Sequence, residues 1–109
     1  MALPDKIRIG AIDYKVVDAE NLTPNSGNPD ELAIGEISYS KALIYMSTAQ
    51  DEQISVPTLW HEILHGILHQ AGHYEQDEET ITALGYGLVS LIRANPQLIA
   101  YTLEQPTTE

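Results

Sequence analysis

His61, Glu62 and His65 are the residues of this 109-residue chain whose types and spacing can do chemistry, standing together as His-Glu-Ile-Leu-His. On a helix, residues four apart lie almost above one another, about 40° around and about 6 Å along the axis. His61 and His65 can therefore bring two imidazole nitrogens to one metal ion without distorting the backbone. Glu62 lies about 100° around the helix from His61. From there its carboxylate can act as a general base on water at the metal instead of coordinating it. The chemistry of such a set is metal-assisted hydrolysis. Two histidines at this spacing are commonplace by themselves, so the reading depends on what must position them.

The flanking residues supply a helix. Leu59, Ile63, Ile67 and Leu68, with Trp60 and Leu64 beside them, recur at roughly helical spacing and give an apolar face that can be buried next to the histidines. Pro57 suits a first helical turn, with Ser55 as the cap just before it. Gly72 is a natural stop, because glycine accepts the left-handed conformation that ends helices. The motif is expected in mid-helix and half buried.

A zinc site needs a third protein ligand. Ala71 stands six residues after His65, where one zinc-peptidase pattern would require a histidine. His69 continues the four-residue series, but it lies about 12 Å from His61 along the axis, so an outer-shell or surface role suits it better. His73 follows the Gly72 turn and is a weaker candidate. A second helix is announced by Asp77-Glu78-Glu79-Thr80, acidic where the positive end of the helix dipole favours it. Its apolar series runs through Ile81, Leu84, Leu88, Leu91 and Ile92 to a stop at Asn95-Pro96. The short connection makes the two helices an antiparallel hairpin. Glu78 and Glu79 could each face the histidine pair from its first turn.

The stretch from about Thr58 to Tyr101 resembles the ImmA/IrrE family of zinc metallopeptidases, common in phages and mobile elements. The residues that carry the resemblance are Leu59-Trp60-His61-Glu62-Ile63-Leu64-His65-Gly66-Ile67-Leu68, and Glu78 followed by Ile81, Leu84 and Gly85. In that family a downstream glutamate is the third ligand, with small or apolar residues three, six and seven positions later. Glu78 fits this register better than Glu79, which is followed there by Thr82, Gly85 and Tyr86. The resemblance thus implies Zn²⁺ held by His61, His65 and Glu78, with Glu62 as the catalytic base. It also implies a peptide or protein substrate, with a regulatory protein as one option. The chain departs from typical members in lacking a helical segment before the sheet and a further C-terminal region, and its gap between the second histidine and the glutamate is short.

The N-terminal half reads as strands. Lys6 to Gly10, Tyr14 to Val17, Glu36 to Tyr39 and Ala42 to Met46 alternate in part, with a turn at Ser40-Lys41. Residues 21–30, rich in Asn, Pro and Gly, read as a loop. The expected fold class is α+β: a small antiparallel sheet of about three strands followed by two packed helices, a minimal zincin-like domain spanning residues 1–109 with a frayed tail at 102–109. In zinc peptidases of this general type a sheet edge lies beside the metal helix, and by that resemblance Ala42 to Met46 is the candidate edge.

Composition bounds the remaining options. There is no cysteine, so neither disulfides nor thiolate ligands enter. No apolar run approaches membrane-spanning length and no signal-peptide core is visible, so a cytoplasmic protein with no membrane partner is expected. Sixteen acidic residues against five basic ones give a formal net charge of -11, which repels phosphate backbones and argues against nucleic acid as a partner. Tyr39, Tyr45, Tyr74, Tyr86 and His73 are possible further donors at the site. The expected function is a zinc-dependent endopeptidase. The alternatives are a catalytically inactive metal-binding accessory or interaction protein on the same scaffold, and a helix hairpin that binds no metal.

Overall fold

Seven elements form along the chain, in a computed structural model that describes residues 2–20, 22 and 34–105. They are β1 (Lys6–Ile9), β2 (Ile12–Ala19), β3 (Gly35–Ser38), β4 (Leu43–Ser47), α1 (Glu52–Gln70), α2 (Glu78–Ala94) and α3 (Pro96–Leu103). The α+β class expected from the sequence is the class observed. The 21–30 loop lies outside the described residues apart from Leu22, as does the tail at 106–109.

The sheet has four strands in the order β1-β2-β4-β3. β1 pairs antiparallel with β2, and β3 antiparallel with β4, but β2 and β4 run parallel, with Lys15 opposite Leu43 and Ala19 opposite Ser47. The sheet is therefore mixed, and it has one strand more than expected.

The Ala42 to Met46 segment is not an edge. β4 is bonded on both sides, and β3 takes the edge position among the described residues. The burial pattern gives the reason: Ile44 and Met46 are fully enclosed, whereas every residue of β3 is half-buried. Two adjacent strands of a hairpin carry no local signal for which of them will find a second partner.

The core joins Ile9, Tyr14, Ile44 and Met46 of the sheet to Leu59 and Ile63 of α1. Each such burial stabilises the fold by about 1.5–3 kcal/mol. Gly66 sets how closely α1 approaches. A Cβ there would lie 2.8 Å from Ile9 Cδ1 and 3.1 Å from Ile37 Cδ1, so its lack of a side chain lets the helix sit down on the sheet. Gln70 fastens the end of the same helix, its amide nitrogen donating to the Ile9 carbonyl at 2.6 Å.

α1 begins earlier than the Ser55-Pro57 signal suggests. Asp51 is the cap and accepts from the Gln53 amide at 2.8 Å, while the Ser55 hydroxyl donates to the Glu52 carbonyl inside the helix. Pro57 sits in the second turn, where its missing N–H costs one hydrogen bond. The other end matches the expectation. Gly72 has φ +88°, its amide donates to the His69 carbonyl, and the His73 amide donates to the Leu68 carbonyl at 2.8 Å. This is the Schellman arrangement that terminates helices at glycine. α2 starts after Asp77, whose side chain accepts from the Thr80 amide, and stops at Asn95 as anticipated. α3 then follows directly, so regular structure extends to Leu103, beyond the expected onset of fraying at Thr102. No helix among the described residues is long and apolar enough to cross a membrane.

Candidate metal centre

The α1 stripe that packs on the sheet carries the histidines beside it. His65 is only 9% exposed and Glu62 6%, whereas His61 is half-buried on the side turned towards α2. α2 crosses α1 at Gly85, where an added Cβ would stand 3.6 Å from the His61 backbone nitrogen, an ordinary contact distance. That crossing and the fully buried Ile81 bring the first turn of α2 over the histidine pair.

Three side chains converge there. Nε2 of His61 lies 3.0 Å from Nε2 of His65, Glu78 Oε2 lies 2.9 Å from His61 Nε2, and Glu78 Oε1 lies 2.9 Å from His65 Nε2. Together these residues form a group that could hold a metal ion. Ligand bonds of about 2.0–2.1 Å at tetrahedral angles place donor atoms roughly 3.3 Å apart. The two histidine nitrogens, 3.0 Å apart, would therefore spread by a few tenths of an ångström to admit such an ion, and Glu78 offers a different oxygen to each ring. Two imidazoles and one carboxylate are also the donor types of a catalytic rather than a structural zinc site.

The outward nitrogens of both rings face oxygen. His65 Nδ1 is hydrogen-bonded to Gln76 Oε1, and His61 Nδ1 lies 3.4 Å from the Thr82 hydroxyl. Neither Gln76 nor Thr82 is among the residues singled out from the sequence. Thr82 carried a usable signal, since it lies four residues after Glu78 and so on the same helical face. Gln76 carried none, because it belongs to the connection between the helices, where no periodicity applies.

Electrostatics separate the members of the site. Burial lowers the pKa of His61, His65 lowers it further, and Glu78 opposes both. The Glu62 carboxyl is pushed up to about 8, first by burial, then by the charges of Glu78 and Glu36. It lies against the edge strand: a Cβ on Gly35 would stand 3.1 Å from Glu62 Oε2 and 2.7 Å from Thr58 Cγ2. Without a cation this carboxyl is therefore mostly protonated at neutral pH, and a positive charge beside it would favour its ionised form.

The other candidates lie elsewhere. His69 stacks on Tyr39 with ring centroids 3.7 Å apart and planes 4° from parallel, and Tyr74 meets it edge-on at 5.0 Å. Neither His73 nor Glu79 belongs to the converging group. Of the tyrosines, Tyr39 is the one whose phenol feels the site. Burial raises its pKa, a hydrogen bond with Gln76 lowers it, and Glu62 and Glu78 raise it in turn. Its hydroxyl is 3.5 Å from the His65 carbonyl. Tyr86 is exposed on α2. Comparison of the chain with protein-family models, with curated proteins and with solved structures finds no match.

Proposed function

We propose that the chain is a zinc-dependent metallopeptidase of the ImmA/IrrE kind, with Zn²⁺ held by His61, His65 and Glu78. The observation that carries this reading is the convergence of three ligand atoms within 4.8 Å of one another, next to a buried carboxyl on the same helix. When bound, Zn²⁺ supplies Lewis acidity, lowering the pKa of water and polarising a carbonyl. His61 and His65 present their Nε2 atoms to it from a helix braced on the sheet, and Glu78 contributes one negative charge. Glu62 takes the proton from the attacking water and can return it to the leaving amine.

The position of the edge strand supports a substrate class. β3 runs beside Glu62, and its outer edge is unpaired among the described residues. An extended peptide added to that edge would gain main-chain hydrogen bonds and lie across the site. A peptide in a protein partner, such as a regulatory protein, is the substrate this arrangement suits.

Metal analysis of the purified protein together with peptide-library hydrolysis tests the proposal. About one zinc per chain is expected in the wild type and none in His65→Ala. Glu62→Gln should keep its zinc and lose hydrolysis by about 10²–10⁴-fold. A wild type that binds zinc but cleaves nothing would make this scaffold a metal-binding interaction module instead. A wild type that takes up no zinc would remove the metal reading altogether.

A further inference from the structure

We infer that Gln76 is a positioning residue of the metal centre: its side-chain amide holds His65 in the tautomer that leaves Nε2 free for a cation. The inference rests on the metal-binding reading above and adds a residue to it. The argument begins with which way the amide points. Gln76 Nε2 lies 2.8 Å from the His73 carbonyl oxygen and 3.4 Å from that of His65. Only the NH₂ end can face two carbonyl oxygens, since an amide oxygen has no proton to donate. Oε1 must then be the atom that meets His65 Nδ1. An amide oxygen only accepts, so Nδ1 carries the proton. In a neutral imidazole the lone pair then belongs to Nε2, the atom 2.9 Å from Glu78 Oε1 and 3.0 Å from His61 Nε2.

The connection that carries Gln76 is itself held in place. The left-handed Gly72 and the His73-to-Leu68 bond turn the chain back over the end of α1. Tyr74 packs on His69, which lies flat on Tyr39 at the end of the sheet edge. Two residues beyond Gln76 the chain delivers Glu78, so one short connection places both a ligand and the group that orients another ligand. Thr82 cannot do the same for His61, because a hydroxyl at 3.4 Å can donate as well as accept. Gln76 also orients without charge. The centre keeps a single carboxylate among its contacting groups, where a glutamate at this position would add a second.

The test uses Zn²⁺ alone, in competition with a chromophoric chelator, on the full chain and on Gln76→Ala and Gln76→Glu. Long-range ¹H–¹⁵N spectra of the metal-free proteins report the His65 tautomer. The wild type should show a proton on Nδ1. Gln76→Ala should lose that preference and bind Zn²⁺ about 10–100-fold more weakly, whereas Gln76→Glu, which retains an acceptor oxygen but not the NH₂ that faces the two carbonyls, should keep the Nδ1 proton and bind more tightly than Gln76→Ala. Wild-type affinity in Gln76→Ala would overturn the inference and leave the metal reading standing. Equal weakening in both variants, with the tautomer unchanged, would assign Gln76 to loop structure and overturn it as well. A wild type that binds no Zn²⁺ would overturn the metal reading first and this inference with it.

Discussion

The two halves of the candidate metal centre are built differently. His61 and His65 stand on α1, which packs on the sheet through Leu59, Ile63 and the bare backbone of Gly66. Their side chains are 20% and 11% exposed, while that of Glu78, on the first turn of α2, is 70% exposed. Moving either histidine would disturb a packed core, where shifts are costly. Moving the glutamate disturbs mostly water. One half would thus fix where a cation could sit, and the other could adjust to it with little resistance.

Replacing the adjustable half gives the largest effect expected here. Glu78→Ala should weaken Zn²⁺ binding by more than about 100-fold, since losing a direct ligand exceeds the 10–100-fold typical of an outer partner. Glu79→Ala should leave it unchanged. Chelator competition on both variants decides the matter, and a comparable loss in Glu79→Ala would break the contrast.

The rigid half is sharpened by pH. In metal-free protein, Glu62 has a folded-state pKa of about 8, raised above its ordinary value of 4.5. Its contribution to stability is fully present below the lower value and is lost as pH rises through the higher one. Glu62→Gln removes that dependence. Thermal unfolding of the chelator-treated pair should therefore show the variant gaining on the wild type as pH goes from 5 to 8. A constant difference would mean that Glu62 is better solvated than its burial implies.

The smallest expected effect concerns the start of α2. Asp77 accepts from the backbone and hydroxyl of Thr80, and those bonds lower its pKa. Asp77→Ala should lower the unfolding midpoint slightly, through loss of the helix cap. Zinc affinity should fall less than in Glu78→Ala, because a frayed first turn can still present its carboxylate.

What was legible in the sequence divides along the same line. The histidine helix, its Gly72 stop and the Asp77 start of α2 are local patterns, in which side-chain period and terminal chemistry act over a few residues; those patterns left Glu78 and Glu79 equal, and only the family resemblance preferred Glu78. The sheet was legible only as strands. Parallel pairing of Lys15 with Leu43 joins segments far apart in sequence, and nothing in either segment states that relation. The interior position of β4 went unread for that reason. Gln76 escaped for another, since its role depends on where a turn carries it and not on any spacing.

The position of β3 also bears on how the protein behaves in concentrated solution. A sheet edge offers the same unpaired amides and carbonyls to any extended chain, including another copy of itself, and is a standard starting point for aggregation. Here that edge is only four residues long, it carries Glu36, and it belongs to a chain of formal net charge -11. Short length limits what a second copy can gain there. Like charge raises the cost of its approach. The excess acid therefore acts as colloidal protection for an edge that is unpaired among the described residues.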